Sequence, residues 1–441
     1  MGNRLKGCRI AWIGFLLVLL LASCGRYVDS EGPIVDKLLK EPSAAVPDKD
    51  KIELRLWSFH QSREYDFWLE LAREYEAEHG NISIKVEFLT SDDYFSRTRL
   101  LSSFASGQGP DLFFVSPATI ERFAQSDILY PLTDFFTERI RDDFYPSALE
   151  SVTIGGDIYA VPIETELLGL FYNTEMFARK GIQPPKTWEE MKSAAEKLTT
   201  SRVSGLTVET YEGVFHNFSW LPFLWQTGAD LLTEDGKGSA MSGESALGMY
   251  SFFKSMASEG LLNMRPSRPV TDIGIIANGE TAMQVSGTWN IRTLETEFAD
   301  KPIGVVPLPT PSGTKPLTIA GGWKLAASKR SEHAEEAAKF MMWAFAGDPS
   351  VPLKWAIDTK FAYSPRHSVM EAGAERFRQG LRAVFTDRIY GTERVEPYLP
   401  EELNRIFSDS LQQLLFGDQS ARQIKERADA RIVNYLAGVQ K

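Results

Sequence analysis

The chain has 441 residues, 43% hydrophobic and 24% charged. That length exceeds one ordinary domain, and the composition excludes a disordered, fibrous or multispanning protein. The net charge of −11, from 48 basic and 59 acidic residues, argues against a general nucleic-acid binder; the two cysteines, Cys8 and Cys24, leave everything beyond residue 24 without a thiol for a disulfide, a nucleophile or a metal site.

Arg4, Lys6 and Arg9 precede Ile10–Ala22, about thirteen apolar residues, too few for a comfortable membrane span and suited to the core of a signal peptide. The run ends in Leu21-Ala22-Ser23-Cys24, which resembles a bacterial lipobox. The resemblance implies a lipoprotein signal peptide over 1–23, a lipid on Cys24, and an exported chain held at the cell membrane by that anchor. Residues 24–50 are polar, mixed in charge and interrupted by prolines, and read as a flexible tether.

The body then alternates strands and helices. Ile52, Leu54 and Leu56 have the period of a half-buried strand that runs into Trp57-Ser58-Phe59. Ser62 is placed to cap a helix with Trp68, Leu71, Ala72 and Tyr75 on its apolar face and Gly80 as its stop. Ile82, Ile84, Val86 and Phe88 predict a second strand. A helix capped at Ser91 or Asp92 follows and ends at Gly107, and Pro110–Ser116 is a third strand, almost wholly apolar and so covered on both faces. This βαβ series predicts an α/β domain with a mainly parallel sheet, whose ligands bind beyond the C-terminal strand ends. Farther on, Gly155-Gly156-Asp157 predicts a hairpin, Leu167–Tyr172 and Ile303–Val306 predict strands, and Thr187 with Glu190 forms a capping box. Ser331 opens a helix, and the last eighty or so residues are largely helical.

Several of these segments, in this order, resemble the sugar-binding, maltose-binding-protein-like members of extracellular solute-binding protein family 1. They are Gly109-Pro110-Asp111-Leu112-Phe113, Gly156 to Pro162, Phe171 to Phe177 followed by Pro184-Pro185-Lys186-Thr187-Trp188, Gly279 to Met283, Ser286-Gly287-Thr288-Trp289, and Gly321-Gly322-Trp323-Lys324-Leu325-Ala326. The resemblance implies a two-lobed, periplasmic-binding-protein-like α/β fold of type II with discontinuous lobes joined by a hinge. One lobe is expected over 51–164 and 322–365, and a helix-rich one over 166–320 and 366–441. It also implies a monomeric, non-enzymatic carrier that closes on a sugar, or a related polyol or glycerol phosphate, and delivers it to the permease of an ABC-type importer.

A sugar needs hydrogen-bond partners for its hydroxyls and flat aromatic faces for its C–H surfaces. Trp57, Ser58 and Phe59 end the first strand and Ser116 ends the third, at the expected ligand side. Gly321 and Gly322 admit close backbone approach beside Trp323. Trp289 follows a turn where the family places a stacking tryptophan. Glu166 stands six residues before Tyr172, where related maltose binders use a glutamate, and in an extended segment Glu164 faces the same side. Trp220 and Trp225 form an aromatic cluster, with helix packing as the alternative, and Arg366 is a further candidate. Some maltose binders carry a stacking aromatic after a proline-rich stretch near the last helices. Here Pro397–Ile406 offers Tyr398 and no tryptophan, so maltodextrin is not implied.

His60, His79, His216, His333 and His367 form no zinc-binding spacing, and the chain lacks a Walker loop, a GxSxG elbow and a GxGxxG loop. No metal, cofactor or nucleic acid is expected. Two alternatives keep other readings open: a non-sugar solute such as iron or an anion in the same fold, and a glycoside-processing enzyme using Glu164 and Glu166.

Overall fold

Apolar and polar residues alternate through strand β1 (Ile52–Ser58), and the computed structural model, which describes residues 51–95 and 99–439, pairs it in parallel with β2 (Ile82–Phe88). The expected signal peptide, the expected lipid site at Cys24 and the expected tether all lie outside the described residues. β3 (Leu112–Val115) is parallel on the other side of β1, and all four of its residues are buried. The helix Arg63–Glu78 connects β1 to β2 and buries Phe67, Trp68, Leu71, Ala72 and Tyr75, the face expected from their spacing. Ser62 does not cap it. Its φ of 50° turns the chain instead, and its hydroxyl makes no cap hydrogen bond.

Thr153–Ile154 and Asp157–Ile158 form a separate two-stranded antiparallel hairpin, as expected from Gly155-Gly156-Asp157. The strands of the larger sheets are β4 (Val161–Pro162), β5 (Glu166–Asn173), β6 (Ser204–Thr207), β7 (Thr281–Gly287), β8 (Ile303–Val306), β9 (Thr318–Gly321), β10 (Lys324–Ala327) and β11 (Glu393–Val395). They form two main sheets. The first runs β2-β1-β3-β10-β4, with β10 antiparallel to both β3 and β4. The second runs β11-β9-β5-β7-β6, and β8 shares one edge of β5 with β9. This is the two-lobed α/β architecture the resemblance implies.

Each sheet has its own apolar packing. Leu54, Leu56, Phe113, Phe114 and Leu325 join Trp68, Phe340 and Trp355 in one cluster on the first sheet. β5 is buried on both faces, which explains its unbroken apolar run. Leu168 and Leu170 face a cluster with Trp220, Phe253 and the C-terminal helices, while Leu167 and Phe171 face another with Phe361 and Phe385. Gly169 lies tight against the second of these clusters: a Cβ there would lie 3.1–3.3 Å from the side chains of Val305, Phe385 and Ile389, which would have to shift to admit it.

The chain passes between the sheets three times: at 163–165, at 322–323, and after Trp355. Trp355 packs in the first cluster, whereas Ala356, Ile357, Phe361 and Tyr363 pack with Leu167 and Phe171. Residues 356–363, assigned from sequence to the first lobe, thus pack on the second. The first and third crossings are stitched by reciprocal backbone bonds between Thr165 and Tyr363, of 2.8 and 2.9 Å.

Candidate functional site

The three crossings converge on buried charge. Glu164 and Glu166 lie two residues apart on an extended segment, so both carboxylates reach the same side. There the Lys360 ammonium sits 2.7 Å from Glu166 Oε1 and 3.2 Å from Glu164 Oε2. Trp355 Nε1 donates to Glu164 Oε2 (2.7 Å), and the Trp323 backbone N–H donates to Glu164 Oε1 (3.1 Å). Lys324 Nζ donates to the carbonyls of Gly322 (2.9 Å) and Glu164 (3.3 Å). Gly322 permits this approach, since its φ is +102° and a Cβ would lie 2.7 Å from the Glu164 carbonyl oxygen. Burial pushes the Glu166 carboxyl up to about 7, against the pull of Lys360. Burial also draws the Lys324 ammonium down to about 8. It acts the same way on Lys360, but Glu164 and Glu166 outweigh it and hold that ammonium above the usual lysine range.

Beside this cluster a cavity of about 350 Å³ opens between elements of the two sheets. Tyr94, Phe114, Ser116, Thr119, Arg122 and Trp323 line it from the first lobe. Asn217, Glu396, Tyr398, Asn404 and Ser408 line it from the second. The Tyr94 hydroxyl is fixed on β3, donating to the Phe114 carbonyl (3.0 Å) and accepting from the Phe114 N–H (2.6 Å). Asn217 Nδ2 donates to the Asn404 carbonyl (2.9 Å), while its buried Oδ1 has no partner among the described residues. Arg122 and Glu401 pair across the mouth at 3.6 Å. A smaller adjoining space of about 20 Å³ is bordered by Ser116, Glu166, Phe215, Phe218, Gly322, Trp323 and Glu396. Burial pushes the Glu396 carboxyl up to about 7, although Lys324 and the Ala118 N–H both act to lower it.

Of the residues singled out from sequence, Ser116 and Trp323 border both spaces, and Glu166 and Gly322 border the smaller one. Gly321 lies against Phe218, whose ring a Cβ would meet at 2.5 Å. Phe59 stands behind the wall, its ring centroid 4.7 Å from Trp323 and 4.9 Å from Tyr94. Trp289 is half-buried, donates Nε1 to the Thr271 carbonyl (3.2 Å) and packs 6.0 Å from Phe215.

The others line neither space. Trp57 donates Nε1 to Glu87 (2.7 Å) and packs in the core cluster of the first sheet. The Ser58 hydroxyl is buried against His60 Nδ1 (3.0 Å). Glu164 is committed to Lys360 and the two tryptophans. Trp220 is fully buried in the helix Val214–Trp225 and donates to the Glu209 carbonyl (2.7 Å). Trp225 is buried on the same helix, its Nε1 on Asp230 (3.2 Å) and the Arg394 guanidinium over its ring. Arg366 binds Asp143 (2.7 Å) and the carbonyls of Phe345 and Gly347 (3.1 and 2.9 Å), which makes it a packing residue.

Sequence reasoning missed Tyr94, Arg122, Asn217, Asn404, Glu396 and Lys360. They come from segments far apart in the chain and lie in no local pattern. Tyr398 carried a signal, as the aromatic in the proline-flanked run. Among the described residues no cluster of three or more His, Cys, Asp or Glu is placed to hold a metal ion.

Comparison with known proteins places this geometry. The family model for bacterial extracellular solute-binding proteins matches residues 60–347. The maltotriose-binding protein of Pyrococcus abyssi is 26% identical over 318 residues, covering 69% of this chain and 64% of that one. A Brucella abortus binding protein is 24% identical over 293 residues, 64% of this chain and 69% of the other. The GacH receptor of Streptomyces glaucescens, solved unliganded and with acarbose, superposes with a TM-score of 0.77 at 22% identity, covering 88% of this chain and 99% of that one. An ABC transporter solute-binding protein of Thermotoga lettingae bound with α-D-tagatose also gives 0.77, at 23% identity over 88% of this chain and 100% of its own. Two sheets joined by three crossings, a polar and aromatic cleft between them, and a family match over more than half its length mean that this chain belongs to the bacterial extracellular solute-binding proteins.

Proposed function

We propose that the chain is the capture subunit of an ABC-type importer, that it binds an uncharged carbohydrate in the cleft between its lobes, and that it presents the closed complex to a membrane permease. The observation that carries this reading is the lining of the 350 Å³ cavity. It combines the faces of Trp323, Tyr94 and Tyr398 with acceptors and donors at Glu396, Asn217, Asn404 and Ser116. Rings contact the C–H faces of a sugar, and buried polar groups read its hydroxyls, where an unmade bond costs about 1–3 kcal/mol. Asn217 Oδ1 is buried next to this lining with no protein donor among the described residues.

Charge narrows the ligand. Glu166, Glu396 and Glu401 border the two spaces, and the cation on their walls among the described residues, Arg122, is already paired with Glu401. A phosphate or carboxylate on the ligand would find no uncommitted cation on these walls among the described residues, so glycerol phosphates and uronic acids are disfavoured. The cavity is at the small end of ligand pockets, which span roughly 300–1,000 Å³, and suits a mono- or disaccharide. The related proteins named for maltotriose, acarbose and tagatose support the carbohydrate class. A hydrolytic role is disfavoured because Glu164 and Glu166 clamp one ammonium and do not flank an open space.

Export and membrane attachment through a lipid on Cys24 belong to the same proposal, supported by the lipobox resemblance and the family. No helix among the described residues is long and apolar enough to cross a membrane. Calorimetric titration with maltose, maltotriose, mannobiose, tagatose and glucose 6-phosphate tests the ligand class. The expected result is saturable 1:1 binding of a neutral sugar and none of the phosphate. Failure of every neutral sugar, together with tight binding of a peptide, an amino acid or an anion, would refute it.

A further inference from the structure

The charges enclosed where the lobes meet do not balance. Three carboxylates, on Glu164, Glu166 and Glu396, are buried there with two ammonium groups, on Lys324 and Lys360. Lys360 is shared between Glu164 and Glu166, while no ion pair reaches Glu396 among the described residues. Lys324 spends its donors on the Gly322 and Glu164 carbonyls and offers Glu396 a field rather than a contact.

The position of Glu396 ties this imbalance to closure. It belongs to the second lobe: it follows β11 directly, and its backbone N–H donates to the Ala320 carbonyl (2.8 Å). Its carboxylate faces first-lobe groups: the Ala118 N–H, Lys324, and the walls at Ser116 and Trp323. The first lobe therefore contributes much of the burial of Glu396, and an open cleft would return the side chain to water. The other ionisable groups on the two spaces are Glu166, on β5 and held by Lys360; Arg122 and Glu401, paired with each other; and the phenols of Tyr94 and Tyr398.

We infer that Glu396 takes up a proton as the lobes close, so that closure, and the ligand capture it serves, is favoured in mildly acidic surroundings. An uncompensated buried carboxylate is unfavourable, and a proton removes the charge without moving an atom of the fold. This inference rests on the reading of the cleft as the capture site, and it deepens that reading by naming a condition that regulates it. The linkage has a definite sign. The Glu396 carboxyl stands at about 7 with the lobes arranged as they are here, packed against Glu396, and would return toward the ordinary value of about 4.5 when solvated. Closure is then aided fully below about 4.5, and the aid is lost as pH rises through 7. The closed-to-open ratio should be roughly 30-fold higher at pH 5.5 than at pH 8.5.

The test needs no ligand. Residues 51–441 contain no cysteine, so spin labels placed by Ser102→Cys and Asp418→Cys, one exposed site on each lobe, report the lobe separation in the unliganded chain by electron–electron dipolar spectroscopy. The expected result is a distance distribution weighted to the short separation at pH 5.5 that shifts toward the long one at pH 8.5. In Glu396→Gln, which carries the neutral form permanently, the short separation should persist at both pH values, and Glu396→Ala should likewise lose the pH response. A distribution independent of pH in the parent, or an equal shift in both variants, overturns the inference. Because no sugar is added, failure here is separate from failure of the carbohydrate assignment.

Discussion

Replacing Lys360 with methionine keeps the aliphatic stem and removes the ammonium that Glu164 and Glu166 share. With the ammonium 2.7 and 3.2 Å from the two carboxylates, an effective dielectric near 20 gives roughly 5–6 kcal/mol of gross attraction for each pair. Desolvation of the three groups offsets most of it. Breaking such a buried pair from one side costs about 3–5 kcal/mol, because a charge is left without compensation. The two carboxylates do not suffer equally. Glu164 keeps the Trp355 indole and the Trp323 amide as donors, whereas Glu166, already pushed up to about 7, is the one that would take a proton. Urea unfolding of Lys360→Met should therefore show a loss of about 3–5 kcal/mol at pH 8.5 and a clearly smaller loss at pH 5.5, where protonation relieves Glu166. A loss below about 1 kcal/mol at pH 8.5, or the same loss at both pH values, would mean that the cluster is not the electrostatic tie between the crossings.

Trp323→Ala should weaken binding of a neutral sugar by about 1–3 kcal/mol in calorimetry, and Trp289→Ala by less, since Trp289 acts through Phe215; equal affinity of wild type and Trp323→Ala would make that indole a packing residue. Gly322→Ala combines a φ of +102° with a Cβ 2.7 Å from the Glu164 carbonyl, so it should lower the urea midpoint by about 1–3 kcal/mol of stability; an unchanged midpoint refutes the strain. Comparing wild type with Glu166→Gln should expose the raised Glu166 carboxyl: its contribution is fully present below about 4.5 and lost as pH rises through 7. The stability difference should therefore move against wild type by about 2–3 kcal/mol between pH 5 and pH 8.5, and parallel pH curves would refute it. Glu87, held down to about 2 by Arg55, Lys85 and Trp57 after outweighing its burial, has the opposite sign: Glu87→Gln should remove stability present above about 4.5 and lost as pH falls toward 2.

The α/β architecture was legible because β1, β2 and β3 carry period-two or continuous apolar runs, and the helix Arg63–Glu78 carries its apolar face at helical spacing. β6, β9 and β10 have four residues each, too few for a period to declare itself. Trp220 and Trp225 show why aromatic content alone misleads. In a helix, rings at that spacing serve a core as readily as a cleft, and here their indole N–H groups are satisfied by Glu209 and Asp230. Glu164 and Glu166 were distinguishable as a pair, but their partner Lys360 lies almost two hundred residues away. Glu396, Asn217 and Asn404 likewise become neighbours only through the second and third crossings, and a linear pattern holds no trace of that.

The placement of β10 between β3 and β4 orders events in time as well as in space. During synthesis β1 to β4 are made by residue 162, yet the strand that joins β3 to β4 ends at Ala327. At ribosomal rates of about 5–20 residues per second the interval is on the order of ten to thirty seconds. Throughout it, β3 offers an unpaired edge beside Phe113 and Phe114, the kind of edge that recruits foreign strands. A nascent chain of this topology cannot finish its first lobe until most of its second has emerged, so it stays unlatched through much of its own production and is exposed to misassociation for the same length of time.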